Sequence, residues 1–234
     1  NVNRILGAMT FLISFIVYFD TMAPSVSYWD CGEFIAVSYT LGVPHPPGSP
    51  LFLLLGRIAS MLPISEDIAF RVNLLSPLAS AFSVLFLYFI IVQLVNHWRG
   101  KIETNTDALI AFGAGIVGSL TFAFTDSHWF NAVEAEVYAF STFFTAIVVW
   151  LALLWSEKAN EKGNERYILI IAYMIGLATG LHLLNLLTIP FVALLIYFKK
   201  YKFEWTSFSI LVVVTGFVFF IIHNVIIKGM PKIA

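Results

Sequence analysis

The stretch AFRVNLLSPLASAFSVLFLYFIIVQLVN, residues 69–96, contains one charged residue, Arg71, in 28 positions. About 20 predominantly apolar residues are enough to cross the hydrocarbon core of a bilayer as a helix. The whole chain has the same character, since 59% of its 234 residues are hydrophobic and 12% are charged. Soluble domains have about 45–50% apolar and about 25% charged residues. The sequence therefore predicts an integral membrane protein built from helices.

Five further apolar segments lie outside this stretch. In chain order the six segments are 5–19, 69–96, 107–124, 132–155, 167–198 and 206–227. A continuous helix over 167–198 would be about 48 Å long, which exceeds a hydrocarbon core of about 30 Å. We therefore divide this segment near Gly180–Asn185 into 167–181 and 186–198. The prediction is an all-α polytopic fold with about seven crossings. Residues 1–234 would form a single transmembrane domain, which we expect to be the N-terminal part of a longer protein.

Lysine and arginine are unevenly distributed between the two sides of this arrangement. One side carries Arg4, Arg99, Lys101, Lys158, Lys162, Arg166, Lys199, Lys200 and Lys202, and the other carries Arg57, Arg71, Lys228 and Lys232. Loops rich in positive charge face the cytoplasm, so the N-terminus is expected to be cytoplasmic. We interpret segment 5–19 as a retained anchor, with a cleaved signal peptide as the alternative.

Charge and composition exclude several classes of function. A net charge of −1 and a pI near 6.6 indicate no basic surface that could release counterions, so nucleic acid is not an expected partner. The single cysteine, Cys31, excludes an internal disulfide. The sequence contains no linear metal-binding motif and no Gly-rich phosphate-binding loop. We therefore predict neither a metal nor a cofactor.

The first outer loop, residues 20–68, is expected to contain two short helices. Ser27 and Asp30 resemble a capping box at the start of a helix over 28–41. The second helix, over 51–62, is too short to span and should lie in the membrane plane.

Two features of this loop bring polar groups together. Asp30 and Glu33 would share one face of the first helical turn. The run His45-Pro46-Pro47-Gly48-Ser49-Pro50 contains three prolines, which restrict the backbone and so lower the entropy cost of holding His45 in place. A rigid, acidic loop is the result.

Two runs of the loop are similar to a known family. They are Trp29-Asp30-Cys31-Gly32-Glu33-Phe34 and Leu41-Gly42-Val43-Pro44-His45-Pro46-Pro47-Gly48-Ser49-Pro50-Leu51-Phe52. Together they resemble the opening loop of a bacterial membrane family allied to eukaryotic protein O-mannosyltransferases, which are GT-C-type glycosyltransferases. Residues 126–138 and 180–187 resemble the same family more weakly. The resemblance implies a GT-C-like fold in a bacterial inner membrane and an active site that faces the periplasm. It also implies a polyprenyl-phosphate sugar donor and an acidic loop residue as catalytic base.

The resemblance and the predicted topology together indicate a polar site at the outer face. Asp30 is the expected catalytic base, and Glu33 supports it. The expected substrate-binding residues are His45, Arg57, Arg71, His128, Glu136, His182 and Asn185. The phosphate of the donor is assigned to a cation, with Arg71 preferred over Arg57. Trp29 and Trp129 are the candidates for stacking against the sugar.

Each of these residues also has a structural interpretation. Asp30 could cap its helix, and Glu134 could cap a helix that begins near Asn131. On such a helix Glu134 and Glu136 would point about 200° apart and could not share a pocket. His182 could be a buried histidine with a backbone partner, and both arginines could extend to lipid headgroups.

Three functions fit this pattern. The first is a glycosyltransferase that lies in membrane lipids and moves a mannose-like sugar from a lipid-linked donor to a Ser or Thr hydroxyl of a protein or peptide. The second is a transporter or flippase with a proton-coupled outer site, because discontinuous helices recur at transporter sites. The third is a non-catalytic membrane subunit of an envelope assembly. Sugar transfer supports the first and ion-dependent uptake the second.

Overall fold

The computed structural model describes residues 1–46 and 48–229, and this part of the chain contains helices and no strand. The helices are α1 (Val2–Thr21), α2 (Cys31–Thr40), α3 (Pro50–Ser60), α4 (Ile68–Asn73), α5 (Leu75–Arg99), α6 (Asn105–Ala123), α7 (Asp126–Ala132), α8 (Val137–Lys158), α9 (Glu165–Thr179), α10 (Thr188–Lys200) and α11 (Trp205–Phe220). A 3-10 turn covers Leu183–Leu187, and π-helical turns cover Ile221–Ile227. Pro47 of the proline-rich run and Lys232 of the charge comparison lie outside the described residues.

Within the described residues, six helical stretches are long and apolar enough to cross a membrane. They are Val2–Thr21, Ile68–Arg99, Asn105–Ala123, Val137–Lys158, Leu183–Lys200 and Trp205–Ile227. The predicted all-α polytopic membrane fold is therefore confirmed, and the chain is an integral membrane protein. Helix α3 has 11 residues, or about 16 Å at 1.5 Å per residue. It is thus too short to span, as expected, and its position in the membrane plane stays a prediction.

The break predicted in the segment 167–198 is present. Helix α9 ends at Thr179, and α10 begins at Thr188 after the 3-10 turn. The Nζ of Lys200 lies 5.7 Å from the ring centre of Trp155, and the Nζ of Lys158 lies 5.7 Å from the ring centre of Tyr167. The end of α8, the start of α9 and the end of α10 therefore lie together, so α9 and α10 form an antiparallel hairpin.

The number of crossings depends on α9. Its 15 residues cover about 22 Å at 1.5 Å per residue, less than a hydrocarbon core of about 30 Å. Six stretches meet the length of a span, and the seventh crossing stays a prediction.

Helix α5 lies at the centre of the bundle and packs against α1, α6 and α8. Glycines allow the close approach that helices need where lipid gives little hydrophobic driving force. A Cβ atom added at Gly115 would come within 3 Å of the Tyr88 ring and of Val92, and one at Gly7 would come equally close to Phe89. The buried Tyr18 hydroxyl donates to the Ala123 carbonyl at 2.8 Å and so links α1 to α6.

Three helix boundaries differ from the prediction. Residues 69–96 are divided at Leu74, and the Asp67 side chain caps the short α4 by accepting from the Ala69 amide at 2.7 Å. The segment 132–155 begins as a helix at Val137. Helix α2 covers Cys31–Thr40 instead of 28–41. In the last two cases a polar residue inside the predicted helix, Glu136 or Asp30, lies before the first turn of the observed helix.

The loop helices pack on the bundle at one end, which we call the site end. It carries α2, α3, α7 and Gly180–Leu187. Helix α2 packs on α3, and their shared core includes Phe34, Phe52 and Phe144. The loop between α8 and α9 lies at the opposite end.

The orientation predicts opposite labelling of the two ends. Single cysteines at Ser127 and Lys162, in a Cys31→Ala background, both lie at exposed positions. We expect an impermeant thiol reagent to label Ser127→Cys on intact cells and Lys162→Cys only after permeabilisation. The reverse pattern, or labelling of both on intact cells, would overturn the orientation.

Candidate active site

Asp30 immediately precedes α2, and its side chain is available. The residue has helical dihedral angles, φ −78° and ψ −5°, and within the described residues its carboxylate makes no capping hydrogen bond. Its side chain is 57% exposed. The preceding Trp29 is held at φ 58°, which is uncommon for a bulky residue. Among the described residues, the Asp30 side chain therefore does not cap α2.

Ser27 does not form the predicted capping box with Asp30. Its hydroxyl donates to the carboxylate of Glu134 at 2.5 Å. A residue that reads locally as the start of a helix therefore makes a contact across 107 positions of sequence. The bond joins the first loop to the segment before α8.

Glu33 and His45 form a tight pair beside Asp30. One Glu33 oxygen accepts from the His45 backbone N–H at 2.7 Å, and the other lies 2.7 Å from the ring Nδ1. The Nε2 of the same ring lies 3.9 Å from Asp30 Oδ2. The hydrogen bond to His45 lowers the pKa of Glu33. The same bond, with the charges of Glu33, Asp30 and Glu136, raises the pKa of His45. Since the pair is exposed, it contributes little to folding stability and mainly orients the ring.

Two buried carboxylates approach this loop from the segment before α8. Glu134 is 3% exposed and Glu136 is 6% exposed. The Cys31 thiol lies 3.8 Å from Glu136 Oε1. Burial raises the pKa of Glu136 to about 7, and the charges of Asp30 and Glu134 add to the effect. Burial and the two glutamates raise the pKa of the Cys31 thiol.

The prediction that Glu134 and Glu136 diverge on one helix is wrong. Residues 133–136 form a bend between α7 and α8, so the 3.6-residue period does not apply to them. Asn131 lies inside α7 and donates to the Ser127 carbonyl at 2.7 Å, so it caps no helix. Both glutamates instead lie near Cys31 at the start of α2.

The tip of the α9–α10 hairpin completes the surroundings. The Ser49 hydroxyl donates to the Leu181 carbonyl at 2.9 Å, and the Leu51 amide donates to the Gly180 carbonyl at 2.9 Å. These bonds fix the proline-rich run against the hairpin. The ring of His182 lies 5.1 Å from that of Tyr138, and its Nδ1 accepts from the Leu184 amide. Burial lowers the pKa of His182, which favours a neutral ring.

These elements enclose one small polar cavity of about 60 Å³. Its walls are Asp30, Phe34, His45, Gly48, Ser49, Glu136, Val137, Tyr138 and His182. A cavity needs about 10–15 Å³ to hold a water molecule, so this one admits a few water-sized groups. It can hold a hydroxyl group or an ion beside two carboxylates, and a whole sugar ring would remain at its mouth.

Residues 30–205 match the family described as protein O-mannosyl-transferase TMEM260 N-terminal domain. The chain belongs to this family. The match includes every residue that lines the cavity, and it confirms the resemblance to protein O-mannosyltransferases that was noted in the loop after α1.

Two relatives carry the same name. Protein O-mannosyl-transferase tmem260 of Dictyostelium discoideum is 31% identical over 198 residues, which are 78% of this chain and 22% of the relative. Protein O-mannosyl-transferase TMEM260 of Mus musculus is 29% identical over 162 residues, 69% of this chain and 21% of the relative. The chain thus spans about a fifth of the length of these relatives. No solved structure matches it.

Four predicted binding residues lie outside the cavity wall. The arginines bond to backbone carbonyls: Arg57 donates to Tyr39 at 2.7 Å, and Arg71 donates to Ser60 at 2.6 Å and to Glu66 at 3.2 Å. Their guanidinium groups therefore stabilise the ends of α2 and α3. Nothing in these contacts supports a role in phosphate binding.

The other two serve the packing of the bundle. His128 is buried, with its ring 4.2 Å from that of Phe122, and burial lowers its pKa to about 4. Asn185 accepts from the Thr145 hydroxyl at 3.1 Å and donates to the carbonyls of Ala178 and His182. It therefore holds the hairpin tip together behind His182, and any role of these two in binding stays a prediction.

Proposed function

We propose that this chain is the membrane-embedded part of a protein O-mannosyltransferase of the GT-C type. It would move a mannose-like sugar from a polyprenyl-phosphate donor to a Ser or Thr hydroxyl of a protein. The transfer would take place at the outer face, which is the periplasmic face in a bacterial inner membrane. Support comes from the names of the relatives and from the polar cavity at the site end. The two relatives named above are eukaryotic, and the bacterial setting rests on the resemblance of the loop alone.

The observation that carries the proposal is the uncapped carboxylate of Asp30 in the wall of the cavity. An acceptor hydroxyl that enters the cavity would give its proton to Asp30 as its oxygen attacks C1 of the sugar. The bond between C1 and the phosphate oxygen breaks, and the polyprenyl phosphate leaves with the electron pair. Glu33 would hold the His45 ring beside Asp30 throughout. General-base assistance of this kind contributes about 10²–10⁴ in rate.

The sugar itself is assigned to the mouth of the cavity, because the cavity is too small for a ring. Trp29 is 85% exposed directly before Asp30, and Tyr138 is 44% exposed at the start of α8. Both present aromatic surface next to the reacting groups, and an apolar sugar face would pack there. Trp129 is bonded to the Thr21 hydroxyl and packs on Tyr18, so it is a weaker candidate for this contact.

A transporter remains the second candidate, because a break between two helices supplies His182 to the polar cavity. In that case the titratable groups would serve ion coupling instead of proton transfer from an acceptor. A non-catalytic subunit of an envelope assembly would show neither activity.

One assay tests the proposal. The full-length protein in lipid nanodiscs receives radiolabelled polyprenyl-phosphate mannose and a Ser/Thr-containing peptide, with an Ala-substituted peptide as control. We expect label on the first peptide alone. The anomeric configuration should be inverted relative to the donor, because one base acts on a single displacement, and NMR of the product measures it. Absence of transfer, or a retained configuration, would contradict the mechanism, and ion-driven uptake in liposomes would favour the transporter.

A further inference from the structure

We infer that a phospholipid with an ethanolamine head group binds in a second cavity, at the end of the bundle opposite the site end. This cavity lies between the start of α1 and the last three turns of α5 and α8, and its volume is about 530 Å³. Small-molecule sites have volumes of about 300–1,000 Å³, so a head group and the upper parts of its chains would fit. The inference is independent of the proposed function, because the two cavities share no described lining residue.

The first argument is a set of polar side chains without partners. The cavity is lined by Asn3 and Arg4 of α1, by Gln93 and Asn96 of α5, and by Glu157 of α8. The Oδ1 of Asn3 and the Nε2 of Gln93 are buried, and neither has a hydrogen-bond partner among the described residues. Polar groups at membrane depth are costly when they stay unpaired. A bound molecule with both donors and acceptors would supply the missing partners.

The second argument is the pair of opposite charges in the cavity wall. Within the described part of the chain, neither Arg4 nor Glu157 forms a salt bridge. A guanidinium group binds phosphate through paired N–H donors, and a carboxylate accepts from an ammonium group. An ethanolamine phospholipid has one phosphate and one primary ammonium group, so the charges match one for one. The amides of Asn3 and Gln93 each have a donor and an acceptor and can bond to either group.

The third argument is the change from apolar to polar lining along the helices. Phe89 of α5 and Trp150 of α8 line the deeper part of the cavity, with ring centres 6.2 Å apart, and Gln93 and Glu157 follow them toward the helix ends. Gln93 lies about 9 Å along α5 from Arg99, the last residue of the helix. This is near the depth at which head groups meet the hydrocarbon. An amphiphile fits this gradient, whereas water would leave the aromatic wall without apolar contacts.

The chemistry of the wall narrows the choice of head group. An anionic phospholipid would supply a phosphate for Arg4 but no cation for Glu157. A choline phospholipid has the same net charge as an ethanolamine one, but its quaternary ammonium group has no N–H to donate to Glu157 or to Asn3 Oδ1. The free head group, without acyl chains, would leave Phe89 and Trp150 uncovered. A lipid with a primary ammonium group satisfies all of these residues.

The test measures lipid binding to the full-length protein in detergent micelles by native mass spectrometry. Three phospholipids with identical acyl chains and with ethanolamine, choline or glycerol head groups are compared. We expect the wild type to bind one ethanolamine lipid per chain, at least about 10-fold more tightly than the other two. Arg4→Gln should weaken binding of all three lipids by about 10–100-fold, because each has a phosphate. Glu157→Gln should weaken binding of the ethanolamine lipid alone and so abolish the preference.

Lys162→Gln and Glu161→Gln are the matched controls. Each removes a charge at an exposed position between α8 and α9, at the same end but outside the cavity wall, and should change neither affinity nor preference. Arg4 and Glu157 are also exposed, so their replacement removes no core packing, and circular dichroism checks that the variants are folded.

Three outcomes would overturn the lipid site. They are equal affinity of the wild type for the three head groups, equal losses in Glu157→Gln and Glu161→Gln, and displacement of the lipid by an equal concentration of soluble glycerophosphoethanolamine. The last result would assign the cavity to a free head group. Sugar transfer plays no part in this measurement, so a failure of the transferase assay would leave the lipid site unaffected.

Discussion

Replacement of Asp30 by Asn should reduce sugar transfer by about 10²–10⁴-fold, the usual contribution of a general base. The amide has nearly the same size but cannot take the proton of the acceptor hydroxyl. Folding should be unaffected, because within the described residues the Asp30 side chain makes no capping bond that the change could remove. The initial rate of label transfer to the peptide, at saturating donor, measures the effect.

A matched control makes this result specific to the carboxylate of Asp30. Asp126→Asn carries the same chemical change at an exposed position of the same end, and its rate should equal that of the wild type. A folded Asp30→Asn protein with more than about a tenth of the wild-type rate would contradict the expected loss.

The membrane helices were predictable from the sequence because apolar length alone determines them. Gly180–Asn185 interrupts a run too long for one crossing, and the structure places the hairpin tip there. Helix starts were less predictable. The segment 132–155 reads as one apolar helix, yet the chain bends at residues 133–136. Glu134 and Glu136 are both buried against α2. Two residues at these positions of a regular helix would point about 200° apart and could not both do so.

The site was partly predictable, and the limit follows from sequence distance. Asp30, Glu33 and His45 lie within 16 positions of one another, and the prolines between the helices already indicate a fixed loop. Glu136 reaches the same cavity from the bend before α8, and His182 reaches it from the hairpin tip. They do so because Ser27 bonds to Glu134 and because Ser49 and Leu51 bond to the hairpin carbonyls. No local pattern encodes those contacts. For the arginines, charge suggested phosphate binding, whereas the structure shows bonds to backbone carbonyls that no local pattern indicated; a role in phosphate binding stays a prediction.

Phe52→Ala should lower the free energy of unfolding by about 3–5 kcal/mol, the usual cost of truncating a buried Phe. Phe52 is fully buried, with its ring 5.3 Å from that of Phe34 in α2 and 6.1 Å from that of Phe140 in α8. It therefore fills the space between the helix that follows Asp30 and the helix that follows Glu136. Unfolding of the protein in detergent micelles, followed by circular dichroism, measures the loss.

Phe217→Ala is the matched control, because Phe217 is 62% exposed on α11 and its removal leaves no cavity. It should change stability by less than about 0.5 kcal/mol, as substitutions away from packed features do. Phe52→Leu should lie between the two, since most of the volume is retained. The same order should hold for sugar transfer at temperatures where all three variants are folded. A cavity between α2 and α8 lets the two carboxylates separate, whereas a change on α11 does not. Equal losses of stability in Phe52→Ala and Phe217→Ala would show that Phe52 does not join the two halves of the site.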